Sequence, residues 1–187
     1  YNHAEDVQPM TSSVAFSNYQ YRAFTSPNEQ VSSLSDYNIE HRFTLNVSYD
    51  IELIDGYPTT LGAFGLIQSG KPYSYTLSRN DSNGVFGFTP YLDSNNVLPV
   101  GGERNGEDGS WWNKIDLRLT QQLPGFTDGH SASAFFVFDN FTNFLNDDWG
   151  IAERVLFNTV EVGASEPEAR MGDASLWEVR VGVNYNF

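Results

Sequence analysis

The histidines and one acidic loop are the residues of this chain whose types could bind a metal. His3, His41 and His130 fall on separate segments, whereas a metal site needs ligands that converge on one ion. The stretch Asp-Ser-Asn-Gly at 81–84 has part of the spacing of a calcium loop. It lacks the later acidic residues and the bidentate glutamate of such loops. We therefore predict no metal site and interpret 81–84 as a solvated loop.

A second acidic group could supply the paired carboxylates of acid–base catalysis: Asp147, Asp148, Glu161, Glu166 and Glu168. The sequence places no nucleophile near them, and the order of its Ser, His and Asp residues does not indicate a catalytic triad. No glycine-rich phosphate-binding loop precedes a helix. The sequence therefore predicts no enzyme and no cofactor.

The composition excludes several further classes of protein. The chain has 187 residues, with 24 acidic against 10 basic residues and a net charge of −14. This acidity argues against a nucleic-acid binder, which needs a basic face. The 15% aromatic content argues against a disordered acidic tail. The absence of cysteine excludes disulfides and thiolate metal sites.

Apolar and polar residues alternate strictly at the end of the chain, which predicts a strand with one apolar and one polar face. The apolar positions of this segment are Trp177, Val179, Val181, Val183, Tyr185 and Phe187. The same pattern occupies 42–53, with Phe43, Leu45, Val47, Tyr49, Ile51 and Leu53 on one side. A shorter version occupies 114–120.

Three weaker strand candidates, at 1–16, 59–75 and 132–145, bring the total to about six strands. Short turns at 54–58 and 124–129 alternate with long connections at 17–36, 76–110 and 146–174. An antiparallel meander with this alternation is typical of outer-membrane barrels. The long connections are rich in Asn, Asp, Ser, Gly and Glu, and loops of this length tend to be functional.

The sequence is consistent with two interpretations of the fold, and both are all-β. One is a soluble β-sandwich, whose strands also alternate. The other is a membrane β-barrel, which is favoured by strands of about 11 to 14 residues with aromatic residues at their ends. No stretch is apolar over the about 20 residues that a membrane-spanning helix needs.

Several short motifs occur in a characteristic order along the chain. They are Thr-Ser-Ser-Val-Ala and Ser-Asn-Tyr within 11–19, Pro-Asn at 27–28, Tyr37, His-Arg-Phe at 41–43, Gly-Lys-Pro-Tyr-Ser-Tyr at 70–75, the loop Asn-Asp-Ser-Asn-Gly at 80–84, Asp-Leu-Arg at 116–118, Leu-Pro at 123–124, Asp-Asn-Phe-Thr-Asn-Phe-Leu at 139–145, Asp-Trp-Gly at 148–150 and the last residue, Phe187. The ordered set resembles the C-terminal barrel region of TonB-dependent outer-membrane receptors. It is most similar to the Oar-like group, whose members carry a carboxypeptidase-regulatory-like domain.

The resemblance implies a fold and a set of partners. The expected fold is an antiparallel meander of about six long strands, the C-terminal part of a transmembrane barrel of about 22 strands. Residues 1–187 would form one partial barrel domain, without the plug and the N-terminal strands. The expected location is the bacterial outer membrane, in contact with its lipid. The expected partners are the chain's own plug and remaining strands, the inner-membrane energy-coupling complex acting through the missing N-terminal part, and the barrel-assembly machinery.

The topology that the resemblance implies divides the strand residues between two sides. The C-terminus would be periplasmic and the long acidic loops extracellular. The residues expected to face the lumen are Arg42, Asp50, Glu52, Lys114, Asp116, Arg118, Glu178 and Arg180, where they would contact the plug or simply be hydrated. The residues expected to face lipid, which would also form the assembly signal, are Val179, Val181, Val183, Tyr185 and Phe187.

The expected function is TonB-dependent uptake of an unidentified ligand. The middle loop departs from the family pattern at 85–90 and 98–99, so the resemblance implies the fold rather than the ligand. The alternative is a soluble secreted β-sandwich that serves as an adhesion or carbohydrate-binding module. Its contacts would be exposed aromatic residues such as Trp111, Trp112 and Trp149.

Overall fold

The computed structural model describes residues 1–7, 12–14, 18, 30–77, 89–90, 104–161 and 165–187. Strands make up 53% of it, which confirms the predicted all-β class. The described elements, in chain order, are β1 (Glu5–Asp6), β2 (Ser33–Leu34), β3 (Arg42–Ile54), β4 (Tyr57–Gln68), β5 (Pro72–Leu77), β6 (Thr89–Pro90), β7 (Glu107–Asp108), β8 (Trp112–Pro124), β9 (Ser131–Asp139), helix α1 (Phe141–Leu145), β10 (Glu153–Arg154), the 3-10 helix Leu156–Asn158, β11 (Thr159–Glu161), β12 (Ala169–Arg170), the 3-10 helix Asp173–Ser175 and β13 (Glu178–Asn186).

The chain divides into two compact units. The loop unit comprises Tyr1–Arg42, Gln68–Trp111 and Glu153–Arg170, and the sheet unit comprises Phe43–Ile67, Trp112–Ala152 and Met171–Phe187. The loop unit contains most of the predicted long connections, and the sheet unit contains the strands with the clearest alternation.

The sheet unit is built on one five-stranded sheet with the order β13-β9-β8-β4-β3. β9 pairs antiparallel with both neighbours, in rows such as Leu119–Phe136–Val181. Between β3 and β4, the turn residues Asp55 and Gly56 include a glycine at φ 76. Asp and Gly are both common turn residues, and glycine adopts positive φ without steric cost. The sequence signal for this turn is therefore confirmed.

Two of the weaker strand predictions need correction. The segment 59–75 forms two strands, β4 and β5, rather than one. The segment 132–145 ends its strand at Asp139, because Asn140 adopts the left-handed conformation at φ 51 and helix α1 follows. Asparagine tolerates this conformation better than other side-chain-bearing residues. Of the first candidate, 1–16, the described part holds only β1, and 8–11 and 15–16 lie outside the described residues.

The five-stranded sheet is open, with β3 and β13 as its edges. Within the described residues, no sheet closes into a barrel. The described part of the chain thus contains one sheet of five strands, whereas the sequence predicted about six long strands.

The loop unit contains short strands that are joined by asparagine side chains. β5 pairs with β6 and β7 antiparallel and with β11 in parallel. The buried Asn105 donates from Nδ2 to the backbone oxygen of Leu34 at 2.8 Å and to Asp36 Oδ1 at 2.6 Å. Asn158 donates to the backbone oxygen of Pro72 at 2.6 Å. Asparagine side chains thus add hydrogen bonds to backbone groups next to strands that are too short to form long ladders.

Candidate functional site

A cavity of about 940 Å³ lies against the polar face of the five-stranded sheet. Residues of all five strands line it, among them Ser48, Thr60, Arg118, Thr120, Phe135 and Arg180. Because strand side chains alternate between faces, the even-numbered positions of β3, β8 and β13 share this side. The cavity therefore contains part of the predicted lumen-facing set.

Two charged residues of that set pair on β8. Lys114 Nζ lies 2.7 Å from Asp116 Oδ2. The other oxygen of this carboxylate, Oδ1, accepts the backbone N–H of Asn140 at 2.8 Å. Both oxygens of Asp116 are therefore occupied, and the residue joins β8 to the end of β9.

A second charge cluster connects β9 and β13. Arg180 forms an ion pair with Asp139 on the neighbouring strand, and its Nε lies 3.7 Å from Glu178 Oε1. Glu178 and Arg180, both predicted to face the lumen, lie near each other on β13, whereas Asp139 was not among the predicted residues. The signal that could have identified it is its position in the Asp-Asn motif at the end of an apolar strand.

Arg118 differs from Lys114 and Arg180 because it has no carboxylate within 4 Å among the described residues. Its Nε donates to Thr120 Oγ1 at 3.2 Å. Its guanidinium carbon lies 5.7 Å from the ring centroid of Phe135, within range of a cation–π contact.

The remaining members of the predicted lumen-facing set lie on β3. Asp50 Oδ1 accepts the hydroxyl of Thr60 at 2.6 Å, across the β3–β4 pair. Arg42 and Glu52 are exposed and do not line the cavity. The structure thus brings Asp116, Arg118 and Arg180 together and leaves the residues at the two ends of β3 apart from them.

The opposite face of the sheet is apolar and largely uncovered. Exposed side chains on it include Phe43, Leu45, Val47, Tyr49 and Leu53 on β3, and Val179, Val181 and Val183 on β13, where Val181 is 73% and Val183 71% exposed. By contrast, the buried apolar residues of the described part are few: Leu66, Tyr73, Ala132, Ala152 and Val160. Among the described residues, the alternation therefore does not serve to fill an apolar core.

Aromatic clusters lie at both ends of this apolar face. At the loop end, Phe138 of β9 packs against Trp177, with Phe141 and Phe144 of helix α1 beside them at centroid distances of 5.0–6.0 Å. At the turn end, the phenol oxygen of Tyr185 accepts the backbone N–H of Phe126 at 3.2 Å. The rings that surround Tyr185 there are those of Phe126, His130 and Phe187.

The Asp-Asn motif at 139–145 has a structural role that the sequence did not reveal. The buried Asn140 donates from Nδ2 to the backbone oxygen of Gly150 at 2.9 Å and accepts the hydroxyl of Thr142 at 2.8 Å. Asn143 donates to the backbone oxygens of Asp147 and Trp149. The two asparagines therefore fix the loop after β9.

A close backbone crossing explains the glycine of the motif at 70–75. A Cβ atom at Gly70 would lie 2.2 Å from the carbonyl carbon of Gly109, which leaves no space for a side chain. Beside this crossing, Glu168 accepts the backbone N–H of Ser110 at 2.8 Å.

In the same unit, the pKa of Tyr73 is raised. Burial of the phenol is the largest cause, and a hydrogen bond with Tyr75 adds to it.

The histidines stay apart, and aromatic contacts account for two of them. His41 stacks on Trp111 at 5.8 Å and contacts Tyr1 at 5.5 Å. His130 Nδ1 lies 2.9 Å from the phenol oxygen of Tyr185. No group of three or more histidines and carboxylates converges among the described residues. The loop 81–84 lies outside them, as do 162–164.

Among the described residues, no helix has both the length and the apolar character needed to cross a membrane. No family model, curated protein or solved structure matches the chain.

Proposed function

We propose that this chain forms part of the wall of an outer-membrane β-barrel belonging to a TonB-dependent receptor that takes up a ligand. The single observation that carries the proposal is the uncovered apolar face of the five-stranded sheet. The resemblance of the ordered motifs to the Oar-like group supplies the receptor class.

The exposed apolar face supports lipid contact. Burying apolar surface is worth about 25 cal/mol per Å², and soluble monomers rarely leave large continuous apolar patches uncovered. Here the patch extends across the strands of one sheet, through rows such as Leu119–Phe136–Val181. A bilayer would cover this face without any further protein.

The dimensions of the face also support a membrane span. From Trp177 to Tyr185, an extended strand covers about 27 Å. With the strand tilt of about 40° that barrels adopt, the height is about 20 Å, close to the apolar band of about 25 Å between aromatic girdles. The aromatic clusters around Trp177 and Tyr185 occupy the positions that such girdles would take.

The polar face and the open edges agree with the same proposal. The ion pairs of Asp116 and Arg180 suit a lumen in which water or a plug meets the wall. The edge strands β3 and β13 each have a strand partner on only one side among the described strands. Unpaired sheet edges are costly in a bilayer, so the partners of these edges would be further strands of the barrel.

A soluble adhesion or carbohydrate-binding module is the second candidate. The exposed rings of Trp111 and Trp149, at 53% and 54% exposure, favour it, because aromatic faces stack on ligands. Under this proposal, another protein layer must cover the apolar face of the sheet. The described residues of the chain place none there, which favours the barrel.

The chain's need for detergent or lipid separates the two candidates. For the barrel, we expect the expressed chain to aggregate in plain buffer and to gain strand circular dichroism only with detergent or lipid vesicles. A monodisperse, folded monomer in plain buffer would overturn the barrel proposal. For the receptor class, sequencing the coding region upstream should reveal a plug domain, and an upstream region without one would contradict that assignment.

A further inference from the structure

Arg118 is the arginine of the cavity that has no carboxylate within 4 Å among the described residues. Two arginines line the cavity, Arg118 and Arg180. Arg180 pairs with Asp139 and Glu178, whereas no carboxylate within 4 Å of Arg118 belongs to the described residues. The cavity therefore presents one guanidinium that is free to bind an anion.

Contacts from two adjacent strands, β8 and β9, orient this guanidinium. Thr120 Oγ1, on the same strand, accepts a hydrogen bond from its Nε at 3.2 Å. The ring of Phe135 on β9 supports it at 5.7 Å. With Nε engaged, the two terminal nitrogens remain for a partner, and a planar fork of two N–H donors matches the two oxygens of a carboxylate.

Gly182 provides the space in which the ring of Phe135 lies. Residues 120, 135 and 182 form one row across β8, β9 and β13. A Cβ atom at position 182 would lie 2.4 Å from Cζ of Phe135, so any larger residue would displace the ring. The glycine of β13 thus allows an aromatic ring on the polar face, directly beneath an arginine of β8.

We propose that Arg118, supported by Phe135, binds a carboxylate group of a molecule held in the cavity. A cavity of about 940 Å³ is at the upper end of the range of about 300–1,000 Å³ for ligand pockets. The proposal deepens the proposed function, on which its lumenal setting rests, by naming the chemistry that the polar face recognises. The carboxylate belongs either to a peptide segment or to a small acid.

Side-chain nitrogen NMR of the full chain, folded in detergent micelles, tests the site. The probes are the peptide acetyl-Ala-Glu-Ala-amide, the matched peptide acetyl-Ala-Gln-Ala-amide, and acetate. We expect the Glu peptide to shift the terminal nitrogens of Arg118, and the Gln peptide to leave them in place. Tighter binding of the Glu peptide than of acetate would identify a peptide carboxylate, whereas equal binding would identify a small acid.

Three variants locate the effect. Arg118→Lys keeps the charge but loses the fork, so the Kd of the better carboxylate probe should rise about 10-fold. Phe135→Leu keeps the arginine but removes the ring, and a rise of about 2- to 5-fold is expected. The matched control, Arg42→Lys, changes an arginine that does not line the cavity and should leave the Kd unaltered.

Two results would overturn the proposal: equal shifts with the Glu and Gln peptides, or an Arg118→Lys variant that binds the carboxylate as tightly as the unaltered chain. The peptide comparison uses the unaltered chain, so it tests the proposal even if a variant does not fold. A chain that folds in plain buffer but shows the carboxylate effect would refute the membrane proposal alone. A chain that folds only in detergent and shows no effect would refute the Arg118 site alone.

Discussion

Val181→Arg should lower the free energy of unfolding by about 2–4 kcal/mol when the chain is assembled in lipid vesicles. Val181 lies on the apolar face, 73% exposed, in one row with Phe136 and Leu119. It is equally far in sequence from Trp177 and Tyr185, about 13 Å along the strand from each. If those residues mark the two interfaces, Val181 lies at the midplane, where an arginine costs most.

The assay is denaturant unfolding of the chain in phosphocholine vesicles, followed by tryptophan fluorescence. The expected cost corresponds to about a 30- to 700-fold fall in the ratio of folded to unfolded chain. Asn184→Arg, on the polar face of the same strand, is the matched control. That change should stay within about 0.5 kcal/mol, as is usual at surface positions.

The substitution distinguishes an apolar face that contacts lipid from one that is exposed to water. At an exposed position of a soluble protein, arginine is nearly neutral, whereas in the bilayer core it is costly. If Val181→Arg and Asn184→Arg unfold at the same denaturant concentration, the apolar face does not contact lipid and the reasoning from exposure fails.

Three further predictions concern the loop unit and the Asp-Asn motif. Gly70→Ala should cost about 1–3 kcal/mol in thermal unfolding because of the contact with Gly109, while Gly172→Ala, which meets nothing within 4 Å, should be neutral. Asn140→Ala should cost about 1–3 kcal/mol from unpaired buried groups. Asn140→Gly separates this loss from backbone strain: it keeps the φ of 51 accessible, so a cost much smaller than that of alanine would contradict the hydrogen-bond explanation. Burial raises the pKa of Tyr73 above the ordinary value of 10.0, so ionisation of this tyrosine favours the unfolded chain. The contribution of the neutral phenol to the stability of the fold is therefore complete below that pH and is lost as the pH rises further. An alkaline titration should therefore show steeper loss of stability in the unaltered chain than in Tyr73→Phe, and identical curves would refute this.

The alternation of residue types predicted the strands with one apolar face well. The predicted segments at 42–53, 114–120 and 177–187 lie largely in β3, β8 and β13, and the Asp55-Gly56 turn occurs where it was expected. Period-two alternation and turn chemistry are local properties, and a local pattern suffices to specify a strand and its two faces.

The segment 132–145 was ambiguous in sequence because it is apolar at both parities. Contacts with the neighbouring strand decide which side chains of this segment take which face. Phe135 lies on the polar face because Gly182 of the next strand leaves space for its ring. The end of the strand depended on Asn140, whose left-handed backbone is stabilised by hydrogen bonds to residues of the loop that follows. No local pattern contains these partners.

The sequence by itself therefore determined the all-β class, the strands with alternating faces, and which of their residues share the polar side. Only the tertiary structure decided which charges on that side meet: Arg180 pairs with Asp139, Asp116 with Lys114 and the backbone of Asn140, and Arg118 with a ring instead of a carboxylate. The physical reason is register. Alternation fixes the face that a side chain takes, but its neighbour across the sheet depends on how the strands are aligned, and that alignment is set by contacts far apart in sequence.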